Sequence, residues 1–231
     1  MIKAILFDKD GTLIDFEATF APATANVIEA LAEGQPDKMA ALADAVDFDL
    51  EGLVISPGSQ LVAGSLDNIV SCWTPHMPED HAALLARVDA LYVQNSLESL
   101  APVDRLTETL GTLMSRSLQL GVATNDSHQA AHAHLDQLSI AHMFGFVVGF
   151  DSGFGEKPQP GMVEAFINHC GLSPDEIAMV GDSVHDCAAG RAAGAVAIGL
   201  TTGLATQDDL APHADHILPA LSDLPELIDR M

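Results

Sequence analysis

The chain has 231 residues, 48% of them hydrophobic, and sets 33 acidic residues against 9 lysines and arginines for a formal net charge of -24. A surface that negative repels phosphodiester backbones and anionic lipid headgroups, which argues against nucleic-acid and membrane-surface partners. It also means that an anionic ligand has to be received by locally placed donors or a metal. The length allows one large domain or a core domain with a smaller companion.

Cys72, Cys170 and Cys187 are odd in number and scattered, with no CxxC spacing. This argues against a disulfide framework or a zinc site and for a reducing compartment. The opening apolar run meets Asp8 too early for a signal peptide, and no apolar stretch approaches the ~20 residues of a membrane span. A soluble, cytoplasmic protein is expected.

In chain order, the apolar run 2–7 reads as a buried strand that ends at Asp8. From 16 to 97 the periodicity is helical, over 18–32, 36–46 and 79–97, and the Gly/Pro/Ser-containing segment 52–65 reads as a loop or short hairpin. Apolar runs then recur at 120–124, 146–150, 177–181, 196–200 and, more weakly, 216–218, separated by helical patterns near 103–117, 127–138, 159–170, 184–193 and 221–229. Strands alternating with helices predict an α/β fold, a parallel sheet covered on both faces. The helical block inserted after the first strand reads as a lid, giving a core of residues 1–15 and 98–231 and a cap of 16–97.

Four clusters carry chemistry, three of them at predicted strand C-termini, where ligands gather in open parallel sheets. Asp8-Lys9-Asp10-Gly11-Thr12 offers two carboxylates for two tasks. Asp8 can attack phosphorus, and Asp10 can protonate the leaving alkoxide and later activate water. Alone, the cluster also reads as an acidic turn. Asp182, in Gly181-Asp182-Ser183 with Asp186 following, adds a hard oxygen donor from a second strand end, suited to magnesium, and equally serves as a helix cap. Thr124 and Asn125 stand where a hydroxyl and backbone N–H can hold a phosphoryl oxygen or cap the next helix. Lys157, fixed by Pro158, can offset charge on Asp8 and a phosphoryl group, or can be a solvated loop lysine. His128, His132 and His134 share one helical segment and read as surface histidines without a metal role.

These motifs in this order resemble the haloacid dehalogenase superfamily, and within it the phosphoglycolate phosphatase-like members; the matching stretches are DKDGT at 8–12, Thr124, Lys157-Pro158 and GDSVHD at 181–186. The resemblance implies a Rossmann-like core with an α-helical cap and a magnesium-dependent phosphatase acting on a small phosphorylated metabolite. It makes Asp8 nucleophile and metal ligand, and Asp10 the general acid/base that lends its backbone carbonyl to magnesium. Asp182 completes the metal shell, Thr124 and Asn125 bind substrate, Lys157 neutralises charge, and Asp186 orients the ligands or Lys157. A phosphomutase of the β-phosphoglucomutase type shares every motif, and a catalytically silent binding protein could keep the fold. At position 9 the family more often carries a larger apolar residue. Lys9, with the polar groups of residues 56–60, is therefore expected to form the far wall of the pocket and receive a substrate carboxylate, because the acidic stretch 16–97 has only Lys38 and Arg87 as basic residues.

Overall fold

The computed structural model describes residues 1–56 and 58–231. Strand β1 (Ala4–Phe7) leads into α1 (Phe16–Ala32), α2 (Pro36–Asp44), the strands β2 (Phe48–Asp49) and β3 (Val54–Ile55), then α3 (Gln60–Ala63), α4 (Leu66–Trp73) and α5 (His81–Glu98). After it come α6 (Leu106–Ser115), β4 (Gln119–Ala123), α7 (His128–Gln137), β5 (Phe146–Val148), α8 (Gly161–Cys170), β6 (Ile177–Gly181), α9 (Val184–Ala192), β7 (Val196–Leu200), α10 (Gln207–Leu210), β8 (His216–Leu218) and α11 (Leu224–Asp229).

The large sheet has the order β5-β4-β1-β6-β7-β8, and each neighbouring pair is parallel. Its central strands are continuous apolar runs because both faces are covered. Alternation along β1 divides the core. Ile5 and Phe7 join Leu120, Val122 and Val180 in a cluster with Leu110 of α6 and Leu224 of α11. Ala4 and Leu6 face the other way, with Met162 and Phe166 of α8 and Ala189 of α9. Phe7 lies level with Val122 of β4 and Val180 of β6. That register brings Asp8, Thr124 and Asp182 out at the same edge of the sheet, on three adjacent strands.

Helices α1 to α5 enclose a separate apolar cluster that includes Val27, Leu31, Leu42, Ile69, Val70, Trp73, Leu84, Val88 and Tyr92. Trp73 Nε1 donates to Leu42 O at 2.9 Å, and its ring stacks on Tyr92 with centroids 6.3 Å apart. The two connections to the sheet run side by side, Asp15 N donating to Ala101 O and Val103 N to Leu13 O. The hairpin lies at 48–55, before most of the segment expected to hold it, and α4 lies beyond the three helices expected in this block. Eight residues make a marginal helix in isolation, and α4 is held by burying Leu66, Ile69, Val70 and Trp73. No described helix is long and apolar enough to cross a membrane.

Candidate active site

Asp8 follows the last residue of β1, 7% exposed, with its N–H bonded to Val180 O. Lys157 Nζ approaches Asp8 Oδ1 at 2.6 Å and Asp186 Oδ1 at 2.6 Å. The lysine is buried, and its backbone is clamped by Asn125, which donates to Lys157 O at 2.9 Å and accepts from Lys157 N at 2.8 Å. Asp186 is fixed in turn at the start of α9, where Oδ2 accepts from Ser183 N and Ser183 Oγ. Asp182 accepts from Thr12 Oγ1 at 3.3 Å. The backbones of Gly11 and Gly203 press against it: a Cβ on either would fall 2.2 Å or 1.7 Å from Asp182 Oδ2, and Gly11 has φ of +81°.

Donor oxygens of Asp8, Asp182 and Asp186, all buried, lie within 4.8 Å of one another. Burial pushes the Asp8 carboxyl up, the charge of Asp186 adds to it, and Lys157 only partly opposes them, so Asp8 titrates at about 7. Burial and then the charges of Asp8 and Asp186 hold Asp182 well above the ordinary carboxylate range. Burial penalises the Lys157 ammonium, but Asp186 and Asp8 outweigh it and raise its pKa. Ionisation of all three carboxyls around one ammonium would leave excess negative charge in a dry place, and the donors are all hard oxygens. That combination fits a divalent cation.

A second group lies beside the first. Lys9 is fully buried, and its Nζ bonds to Asp10 Oδ1, to Asp126 Oδ2 at 3.0 Å and to His134 Nδ1 at 3.0 Å. Thr124 Oγ1 donates to Asp10 Oδ2 at 3.3 Å and accepts from Asp126 N at 3.0 Å. Donor atoms of Asp10, Asp126 and His134 also fall within 4.8 Å of one another, but the Lys9 ammonium bonds to all three. Burial opposes the Lys9 charge, and Asp10 and Asp126 more than offset it, so its pKa is raised. Asp10 is raised by burial despite Lys9.

Both groups face a cavity of about 750 Å³, counting its open mouth, whose floor includes Asp8, Asp10, Thr124, Asn125, Lys157 and Asp182. The expectation for Lys9 is overturned: the ammonium is taken up by three partners beneath the surface and does not line the cavity. The expectation for 56–60 fails as well among the described residues, with Pro57 lying outside them. Ser59 turns inward to cap α3 and bond Val46 O, and the far wall comes from Phe16, Phe20, Leu61, Leu66, Ile69 and Tyr92. His134 is likewise not a surface residue. It falls on the inner face of α7 with Ala130, Ala131 and Leu135, a spacing that could have placed it there. His185 lines the cavity too, its Nδ1 without a partner among the described residues, and the motif reading passed over it.

Comparisons with known proteins agree with this geometry. The family described as haloacid dehalogenase-like hydrolase matches residues 2–194. Pyrophosphatase PpaX of Bacillus velezensis is 27% identical over 224 residues, covering 96% of this chain and 94% of that one. Phosphoglycolate phosphatase of Escherichia coli is 27% identical over 233 residues, covering 95% and 92%. Among solved structures, one described as a predicted phosphoglycolate phosphatase from Haemophilus somnus superposes with a TM-score of 0.74 at 23% identity, over 98% of each chain.

Proposed function

The chain belongs to the haloacid dehalogenase-like hydrolases, and on that footing we propose a magnesium-dependent phosphatase that hydrolyses a small phosphomonoester, of the size of phosphoglycolate, through an aspartyl-phosphate on Asp8. The observation that carries the reading is the placement of Asp8. It is buried at a strand end on the cavity floor, ion-paired to Lys157 at 2.6 Å, within a cluster of three carboxylates.

In the proposed reaction a carboxylate oxygen of Asp8 attacks phosphorus, and the bond from phosphorus to the ester oxygen breaks. Asp10 gives its proton to the departing alkoxide. It then takes a proton from water, whose oxygen attacks the same phosphorus, freeing phosphate and restoring the Asp8 carboxylate. Lys157 holds Asp8 in the attacking position and offsets charge, while Thr124 and Asn125 receive phosphoryl oxygens. Asp8 and Asp182, with the backbone carbonyl of Asp10, would hold a magnesium ion that supplies charge neutralisation at the phosphoryl group. Residues 16–97 act as a cap that closes over residues 1–15 and 98–231 and excludes water. The partner is a small phosphorylated metabolite, and three free thiols, Cys72, Cys170 and Cys187, fit a reducing cytoplasm.

The test is phosphate release from p-nitrophenyl phosphate and a panel of phosphorylated metabolites, with and without magnesium. Metal-dependent release supports the reading. Isomer formation without release would replace it with a phosphomutase, and inertness toward every ester would overturn it.

A further inference from the structure

Lys9 and His134 stand outside the reaction just described, yet both are fully buried beside it. An ammonium has three donors and no acceptor. Those of Lys9 meet Asp10 Oδ1, Asp126 Oδ2 and His134 Nδ1, and the ring of Phe20 from α1 lies 5.3 Å from Nζ. Facing an ammonium, His134 Nδ1 can only accept, so the ring proton resides on Nε2 and is donated to Ser96 Oγ at 2.6 Å. Ser96 Oγ donates onward to Tyr92 O at 2.5 Å, within α5. Burial, and then the Lys9 charge, bring His134 down to about 2, which keeps it neutral and able to accept. One continuous buried chain therefore runs from Asp10 through Lys9, α7 and Ser96 into the last turns of α5, the helix by which the inserted block returns to the sheet.

We propose that Lys9 is a positioning residue that fixes the Asp10 carboxylate for proton transfer, and that the His134–Ser96 link makes this placement depend on helix α5. The proposal rests on the phosphatase reading. Its logic is that an ammonium cannot accept a hydrogen bond, so with Oδ1 held by Lys9 a proton carried by Asp10 sits on Oδ2. That is the oxygen touched by Thr124, whose hydroxyl can rotate between donating and accepting. Asp126 supplies the counter-charge that keeps Lys9 in place, its other oxygen accepting from Ser127 N. Without Lys9 the carboxylate is free to turn, and proton delivery to the leaving oxygen loses its geometry.

The test reads kcat for two esters: p-nitrophenyl phosphate, whose leaving group departs without much protonation, and a simple alkyl phosphate, whose alkoxide needs a proton. For Lys9→Met the ratio of the two is expected to move against the alkyl ester by about 10-fold or more, as loss of oriented acid catalysis implies. For Ser96→Ala the same ratio moves by about threefold, the weight of one hydrogen bond, with KM little changed. Lys9→Met/Asp126→Asn removes the stranded charge, so that folding recovers while the altered ratio persists. Equal losses on both esters, or a ratio restored in the double variant, would reduce Lys9 to a structural role and overturn the proposal. Where Lys9→Met does not fold, the ratio in Ser96→Ala and the double variant decides. A wild type inert toward both esters would instead overturn the phosphatase reading itself.

Discussion

Two buried lysines each lie between two aspartates, and they are built for different ends. Lys157 bridges Asp8 and Asp186, and Asp182 adds a third carboxylate beside them; burial first, and then the charges of neighbouring carboxylates, push Asp8 and Asp182 upward. Lys9 bridges Asp10 and Asp126, and its third donor meets a neutral imidazole. The first group gathers three carboxylates about one ammonium and fits a divalent cation, whereas the ammonium of the second bonds to all three of its neighbours and is joined through His134 to α5. In the proposed reaction the group with the larger carboxylate excess takes metal and phosphoryl group, and the hydrogen-bond-saturated group serves as a fixed scaffold.

The comparison breaks most completely at Asp8. Asp8→Asn keeps the shape and removes the attacking charge, so turnover should fall by about 10⁴-fold or more while the circular dichroism spectrum is retained. Next, Lys157→Met strands buried carboxylates and should lower unfolding free energy by about 3–5 kcal/mol, read by denaturant titration. Because the deficit there is what a divalent ion fills, magnesium should recover part of that loss. If magnesium recovers none, the cluster is not the metal site.

The pH dependence sharpens the contrast. The folded pKa of Asp8 is raised from 3.8 to about 7, so between those values the folded state binds the extra proton, and stability from this group falls as pH rises through the window. His134 acts oppositely. Its folded value is depressed from 6.5 to about 2, so its contribution is present above 6.5 and lost as pH falls. The two slopes oppose in wild type, but the His134 contribution cancels in the difference between melting temperatures with magnesium and with chelator. That difference should grow as pH rises from 4 to 7, because the cation binds ionised Asp8. A flat difference would place the ion elsewhere. The smallest effect belongs to Ser183→Ala, which removes the cap that holds Asp186 at the start of α9 and should cost about 1 kcal/mol, again by denaturant titration.

The sequence disclosed the parts of this molecule that depend on local pattern. Apolar runs ending in acidic or hydroxyl residues located β1, β4 and β6 together with Asp8, Thr124 and Asp182, because a strand buried on both faces has to be apolar and its end is where polarity resumes. Asp186 and Lys157, which the resemblance paired, lie 2.6 Å apart. What escaped is what long-range contact decides. Helix α4 follows Gly64 and Ser65, and its stability comes from packing Trp73 and its neighbours. Lys9 is a residue type expected at the surface, and its burial follows from partners 117 and 125 residues away, Asp126 and His134. Once Lys9 is withdrawn, the expected carboxylate-binding wall is replaced by an apolar one that includes Phe16, Leu61, Leu66 and Ile69.

The central claim is that Asp8 carries the phosphoryl group. Rapid acid quench of the magnesium-loaded enzyme with an excess of p-nitrophenyl phosphate, followed by peptide mass spectrometry, tests it without reliance on overall rate. An adduct of phosphoryl mass is expected on the peptide containing Asp8, labile to base and missing from Asp8→Asn. An adduct on another residue, or one that persists unchanged in Asp8→Asn, would contradict it.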